Sequence, residues 1–317
     1  GMYVAPNPAP SPAQGWIANS PLAGDHATAG SFTTAMQLLN RQIGVVNFAP
    51  LKRAFLAAYQ GSRLSHIMTH GVGASSNYVT RQSKSSGQDS LPRVAIRLDL
   101  MASDVKKGYK AFVAGKFNDA QKIFLSVLQT APLVVVSTRD EEREVKEMLA
   151  ICREYVLAVN ITLKRKEVSS DPKRSMELAA YMTHCDLLPS HSVLALKLAM
   201  TQAYKLKNFV TAETFARRLL DLQPKDQKMI SNAKKVVQMS QKEGRNAVKL
   251  DYNPQDSFLI CASEFKCLPR ARDPLPVQCP YCGASFNKSF TGEICTICQL
   301  SKIGTETVGL VVSWQSN

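Results

Sequence analysis

Two CxxC pairs, Cys279-Pro-Tyr-Cys282 and Cys295-Thr-Ile-Cys298, stand twelve residues apart near the end of the chain and constrain it more than any other feature. Each pair lets two thiolates reach one ion from a tight turn, and Gly283 supplies a permissive backbone just after the first. Four sulfurs then close a tetrahedral shell, for which Zn2+ is the expected ion, and a shell with no open position is structural rather than catalytic. The segment from 279 to 298 is too short to bury a core, so metal binding is expected to supply the folding free energy it lacks. The same residues admit two disulfides, a redox CxxC or an iron–sulfur cluster. A cytosolic setting disfavours disulfides, and a thioredoxin-like motif does not come doubled. The other cysteines, Cys152, Cys185, Cys261 and Cys267, read as small buried apolar residues, the last two being an alternative ligand pair only at an unsuitable CxxxxxC spacing.

The 317 residues, 45% of them hydrophobic, can bury more than one core, so two ordered units with tails are expected. Gly1 before Met2 and the unstructured opening read as a fragment of something longer. Residues 1–30 hold Pro6, Pro8, Pro10, Pro12 and Pro21 and predict an extended Pro-rich arm. Residues 31–60 predict two short helices. The first is capped by Ser31, carries Phe32, Ala35, Met36, Leu39 and Ile43 on one stripe and stops at Gly44. The second starts near Pro50 with Leu51, Phe55, Ala58 and Tyr59 on one side and ends at Gly61. Residues 61–98 predict a linker or partly extended segment, because Ser and Gly dominate its first part and Val94, Ile96, Leu98 and Leu100 alternate at its end as a short strand or a helix lead-in.

From 99 to 250 the period becomes helical. Between 141 and 165, Val145, Leu149, Cys152, Val156 and Val159 share a face, with Glu141, Glu142 and Glu144 at the start and Lys164, Arg165 and Lys166 at the far end, as the helix dipole favours. Residues 192–206 are apolar nearly all round and predict a helix walled in by neighbours. Gly108, Gly115, Phe117, Ala120, Phe124 and Pro132 fall at tetratricopeptide spacing, with Ala111 where that pattern has an aromatic. A weaker echo runs through Ala203, Phe209, Ala212, Ala216, Leu219 and Pro224, but Pro132 and Pro224 are not a whole number of ~34-residue repeats apart. The expected fold is therefore mainly α, an irregular tetratricopeptide-like stack of helical hairpins, followed over 251–317 by a small β-rich zinc-binding module.

Lys and Arg outnumber Asp and Glu by 39 to 25, most of the excess lying between 93 and 250. Nucleic acid, an anionic membrane or an acidic protein surface would each suit such charge. The basic run from Arg217 to Lys249 has no interleaved aromatics for base stacking, so nucleic acid is not expected, and a solvated helix face is the plain alternative. No apolar run approaches the ~18 residues of a membrane span, and the five histidines are scattered without a nucleophile or phosphate-loop pattern. His184 and Cys185 are neighbours whose side chains diverge on a helix. No enzymatic activity is expected.

The chain resembles the carboxyl-terminal region of the alpha subunit of coatomer, the coat of Golgi-derived vesicles. The resemblance is carried by Ala29-Gly-Ser-Phe-Thr-Thr-Ala-Met36 running into Gly44-Val-Val-Asn-Phe48, by Ala179-Ala-Tyr-Met-Thr-His184, by the run Leu206 to Leu220, and by Asp256-Ser-Phe-Leu-Ile-Cys261. It implies a non-catalytic coat scaffold that binds the epsilon subunit, itself a tetratricopeptide-type protein. It further implies contact with other coatomer subunits, a cytoplasmic location peripheral to Golgi membranes, and service in Golgi-to-endoplasmic-reticulum and intra-Golgi transport. Function would then be the free energy of a large, shape-matched interface. Docking is expected on the arm, the two early helices and the 61–98 segment, and alternatively on the basic helices near 217–249.

Overall fold

A computed structural model describes residue 18 and residues 20–66, 75–79, 81, 91–269 and 275–314. Among these residues the chain forms α1 (Ala23–Ala29), α2 (Phe32–Ile43), α3 (Lys52–Gly61), α4 (Leu98–Val113), α5 (Phe117–Thr130), α6 (Arg139–Glu167), α7 (Pro172–Met182), α8 (Pro189–Lys205), α9 (Phe209–Asp221) and α10 (Gln227–Glu243). The strands make three separate antiparallel ribbons: β1 (Arg63–His66) with β2 (Ser75–Tyr78), β3 (Phe258–Ile260) with β4 (Cys267–Pro269), and β5 (Val277–Gln278) with β6 (Ser285–Phe286).

The early helices follow their apolar stripes. Ala35, Leu39 and Ile43 of α2 are buried, and Gly44 ends it in the left-handed region at φ 67°, its N–H donating to the Asn40 and Leu39 carbonyls. Met36, included in the expected stripe, is 36% exposed and faces outward. Leu51, Phe55 and Ala58 bury the inner side of α3. The expected arm needs correction at its end: α1 lies within residues 1–30, and Ala23 to Thr28 are all buried. Its small residues carry no apolar period to read, and Gly24 lets the helix approach so closely that a Cβ there would collide with the Leu133 carbonyl oxygen. Pro6, Pro8, Pro10 and Pro12 lie outside the described residues.

Buried Asp25 of α1 accepts from Ser20 Oγ at 2.9 Å and from Arg81 Nη2 at 2.6 Å, the two side chains of the ion pair being 0% and 12% exposed. Burial pushes the Asp25 carboxyl up, and the Arg81 guanidinium opposes that push. Within 61–98 the structure places the β1–β2 ribbon, then buried Val94 and Ile96; the alternation there ends not in a strand but in α4, which starts at Leu98 and leaves Leu100 55% exposed.

Helices α4 and α5 form a hairpin around Gly108, where a Cβ would meet the Phe124 ring at 2.7 Å. A full capping box opens α6, with Glu141 N–H on the Thr138 hydroxyl and the Glu141 carboxylate on the Thr138 N–H, and the predicted face of Val145, Leu149, Cys152, Val156 and Val159 is buried. His191 of α8, 5% exposed, is enclosed by Tyr109, Phe112 and Tyr155. Its Nδ1 is hydrogen-bonded to the Tyr155 hydroxyl at 2.6 Å, and that oxygen accepts the Leu188 N–H at 3.1 Å. Burial pulls the imidazole below its ordinary value.

The core does not divide at residue 250. One cluster joins α1–α6 to the C-terminal ribbons and the four paired cysteines; a second lies among α7–α10. Helix α7 serves both: Leu178, Tyr181 and Met182 face the first, Met176, Ala179 and Ala180 the second, and every residue from Ser175 to Met182 is buried. Helix α8, expected to be covered all round, leaves Leu194 and Tyr204 40% and 38% exposed. The missing cover is a fourth neighbour: α8 and α10 both pack on α9 and hardly touch each other.

Candidate metal centre

The two CxxC segments fold as matching turns. In the first, the Gly283 N–H donates to the Cys279 carbonyl at 3.0 Å and the Cys279 N–H to the Ala284 carbonyl at 2.9 Å. In the second, the Gln299 N–H donates to the Cys295 carbonyl at 2.9 Å and the Cys295 N–H to the Ser301 carbonyl at 2.9 Å. The residue after each second cysteine takes the left-handed conformation, Gly283 at φ 72° and Gln299 at φ 62°. Glycine does this without strain; Gln299 is held there by the hydrogen bonds of its own turn and by Asn47 Nδ2, which donates to its carbonyl at 2.8 Å.

The turns face each other and bring four sulfurs together. Cys279 Sγ lies 3.8 Å from Cys298 Sγ, Cys282 Sγ lies 3.6 Å from Cys295 Sγ, and all four fall within 4.8 Å of one another. A sulfur tetrahedron around one ion with metal–sulfur bonds of ~2.3 Å has edges of ~3.8 Å, so these separations fit a single metal ion. They are far beyond the ~2.05 Å of a disulfide. All four cysteines are buried, at 4% exposure or less. Burial raises the Cys282 and Cys295 thiols, whereas hydrogen bonds from Cys282, Cys295 and Cys298 pull Cys279 well below the ordinary thiol range. Without a cation such a nest keeps most of its sulfurs protonated; a bound metal ion would stabilise the thiolate form of all four. Four sulfurs on one ion would complete a tetrahedral shell and leave it no open position.

The helical body grips both turns. Tyr281, inside the first CxxC, donates its hydroxyl to the Leu128 carbonyl of α5 at 2.5 Å. Arg153 of α6 donates to the Cys282 carbonyl at 3.2 Å, and Gln129 to the Cys298 carbonyl at 3.4 Å. Val46 and Asn47 N–H groups both reach the Leu300 carbonyl, and Lys302 N–H reaches the Gly44 carbonyl. Sequence reasoning singled out the four cysteines that meet here and missed these supports. A tyrosine between two ligands was the one available hint, since a buried Tyr needs a partner for its hydroxyl.

The remaining cysteines stand apart from the cluster. Cys152, Cys185 and Cys261 are buried, while Cys267 is partly exposed on β4, beside Ile260 of β3. Burial pushes Cys152 up to about 12 and Cys267 to about 11, so neither is a ready thiolate. His184 packs on Tyr252 and Phe258, and burial with Arg218 nearby lowers it to about 4. Among the described residues, no helix is long and apolar enough to cross a membrane.

A family model described as the C-terminus of the coatomer (COPI) alpha subunit matches residues 1–316. Coatomer subunit alpha-1 of Arabidopsis thaliana is 42% identical over 316 residues, a match covering 98% of this chain and 26% of that protein. Coatomer subunit alpha of Dictyostelium discoideum is 37% identical over 320 residues, with the same coverages. Coatomer subunit alpha of Saccharomyces cerevisiae is 32% identical over 297 residues, 93% of this chain and 24% of that protein. The chain thus spans about a quarter of the length of these relatives.

Proposed function

The chain belongs to the family formed by the C-terminus of the coatomer (COPI) alpha subunit, and on that premise we propose that it is a non-catalytic scaffold of a vesicle coat whose amino-terminal portion docks the coatomer epsilon subunit. The observation that carries the reading is the β1–β2 ribbon. It is a four-residue antiparallel pairing, Arg63 opposite Tyr78 to His66 opposite Ser75, with no third strand beside it among the described residues. Its base is tied to the body, where Arg81 N–H donates to the Leu91 carbonyl and Arg93 N–H to the Val79 carbonyl; beyond that base a two-stranded ribbon is marginal in water and offers backbone edges, a natural element for a partner to enclose. Other coatomer subunits then join through the coat, which works on Golgi membranes in retrograde and intra-Golgi transport without this chain entering the bilayer.

The four thiolates of Cys279, Cys282, Cys295 and Cys298 hold one structural zinc ion in this reading. The sulfur separations and the all-cysteine donor set support it. Bound zinc supplies folding free energy; the chain's residues supply the two turns and their attachments to α5 and α6.

Replacing residues 63–78 by a Gly/Ser linker and measuring co-purification with the epsilon subunit tests the docking reading. Removing residues 1–92 would be a poor test, because Leu39, Ile43 and Leu51 lie in the main core. Loss of binding with an unchanged thermal midpoint is expected; undiminished binding sinks the proposal. Metal analysis of the purified chain should give one zinc per polypeptide, and iron with thiolate charge-transfer absorbance would replace zinc by a cluster.

A further inference from the structure

The gap between α8 and α10 is a groove of about 270 Å³. Its most buried lining residues are Met200 and Met229, 4% and 8% exposed, and Val236 lines it too; Tyr204 and Met239, each 38% exposed, form its lips. Lys197 of α8 and Lys235 of α10 line it from opposite walls. On α10, Lys228, Lys235 and Lys242 recur at every seventh position and so make one basic stripe beside the groove. Across both helices the one acidic residue is Glu243, the last of α10. No ion pair among the described residues engages Lys197, Lys228, Lys235 or Lys242.

Among the described residues, none outside α8 and α10 lines this groove. After α10 the chain turns back along α9, with Phe209 N–H on the Arg245 carbonyl and Ala247 N–H on the Lys207 carbonyl. A flat bilayer would not reach Met200 and Met229 at the bottom of a groove between helices. The volume is below the ~300–1,000 Å³ of a pocket that encloses a small ligand, but it suits side chains inserted from a helix laid along it. Flexible methionines adapt to such insertions, and the lysines select the sign of the flanks.

We propose that the α8–α10 groove docks an amphipathic helix of a partner protein, one with large apolar side chains at i, i+3 or i+4, and i+7 and with carboxylates on its flanks. This site is separate from the β1–β2 ribbon and stands if the docking of the epsilon subunit on that ribbon falls.

The test uses the whole chain and a labelled synthetic helix carrying leucines at those positions and glutamates on its flanks, followed by fluorescence anisotropy. The acidic helix binds, its lysine-flanked counterpart binds at least about tenfold more weakly, and added salt weakens the complex. The Lys197→Glu/Lys235→Glu pair weakens binding about tenfold, and Met239→Glu does the same, while Lys106→Glu/Lys110→Glu on α4 leaves it unchanged. Circular dichroism checks that each variant folds, and the exposed lysine pair decides should Met239→Glu not fold. Absence of binding, equal binding of both helices, or equal loss in the α4 variant overturns the proposal. So does tighter binding of single-stranded RNA or of phosphatidylserine vesicles that the groove variants abolish.

Discussion

The Tyr281 hydroxyl meets the Leu128 carbonyl at 2.5 Å, so a residue inside the first cysteine turn closes the last turn of α5. Tyr281→Phe keeps the ring and removes the donor, leaving a buried carbonyl unpaired. The expected loss is about 1–3 kcal/mol in urea unfolding, with one metal ion still bound. Unaltered stability would mean the contact is dispensable.

Metal removal should lower the stability of the whole fold rather than loosen its tail. Phe286, Ile297 and Leu300, all 0% exposed, belong to the same core as Leu39, Phe124 and Val145. Chelation, or Cys295→Ser with Cys298→Ser, is therefore expected to lower the main thermal transition and expose amides of α2 and α5 to hydrogen exchange. A transition that stays put while only residues after 275 exchange would contradict this.

Breaking the buried Asp25–Arg81 pair from one side should be costly. Arg81→Met strands a carboxylate that is 0% exposed, for an expected loss of about 3–5 kcal/mol near neutral pH. Without the guanidinium the Asp25 carboxyl rises further above its unfolded value. Its neutral form is then tolerated, so the variant's deficit shrinks on acidification and grows as pH rises through the folded value. The double variant Asp25→Asn/Arg81→Met should recover part of the loss. Denaturant midpoints across pH measure all three.

His191 makes the opposite contribution. Burial pulls it below its ordinary ~6.5 and favours the neutral ring, which is hydrogen-bonded to the Tyr155 hydroxyl. The unfolded chain takes up a proton near ~6.5 while the folded one refuses it, so this stabilisation is complete above that value and fades as pH falls toward the depressed folded value. His191→Gln should flatten the dependence of the urea midpoint between pH ~7.5 and ~5. An unchanged slope would assign the acid sensitivity elsewhere.

What could be read from the sequence was local. Gly44 as a stop, the buried face of α6 and the meeting of four cysteines all follow from spacings within a few turns of chain. Helix α1 could not be found that way: five of its seven residues are Ala, Gly or Thr, and it is packed and paired by Leu133 and Arg81, distant in sequence. The same holds for the C-terminal segment, expected as a separate module but sewn to α2 and α5 through Gly44, Val46, Gln129 and Tyr281. Leu194 and Tyr204 looked like core because composition records what a helix offers and not how many neighbours arrive. The β1–β2 ribbon was hidden because polar serines do not announce a strand.

From Ser175 to Met182 helix α7 has no wet side. A rod enclosed on every flank leaves no slip plane: tilting the α8–α10 layer would open voids around Met176 and Ala180 and press on Tyr181 at once. Tyr181 is tethered by its hydroxyl to the Asp251 carbonyl at 2.5 Å, where the chain re-enters the cysteine-bearing half. The α8–α10 layer and the core that holds the sulfur cluster are thus joined through one buried stretch of helix.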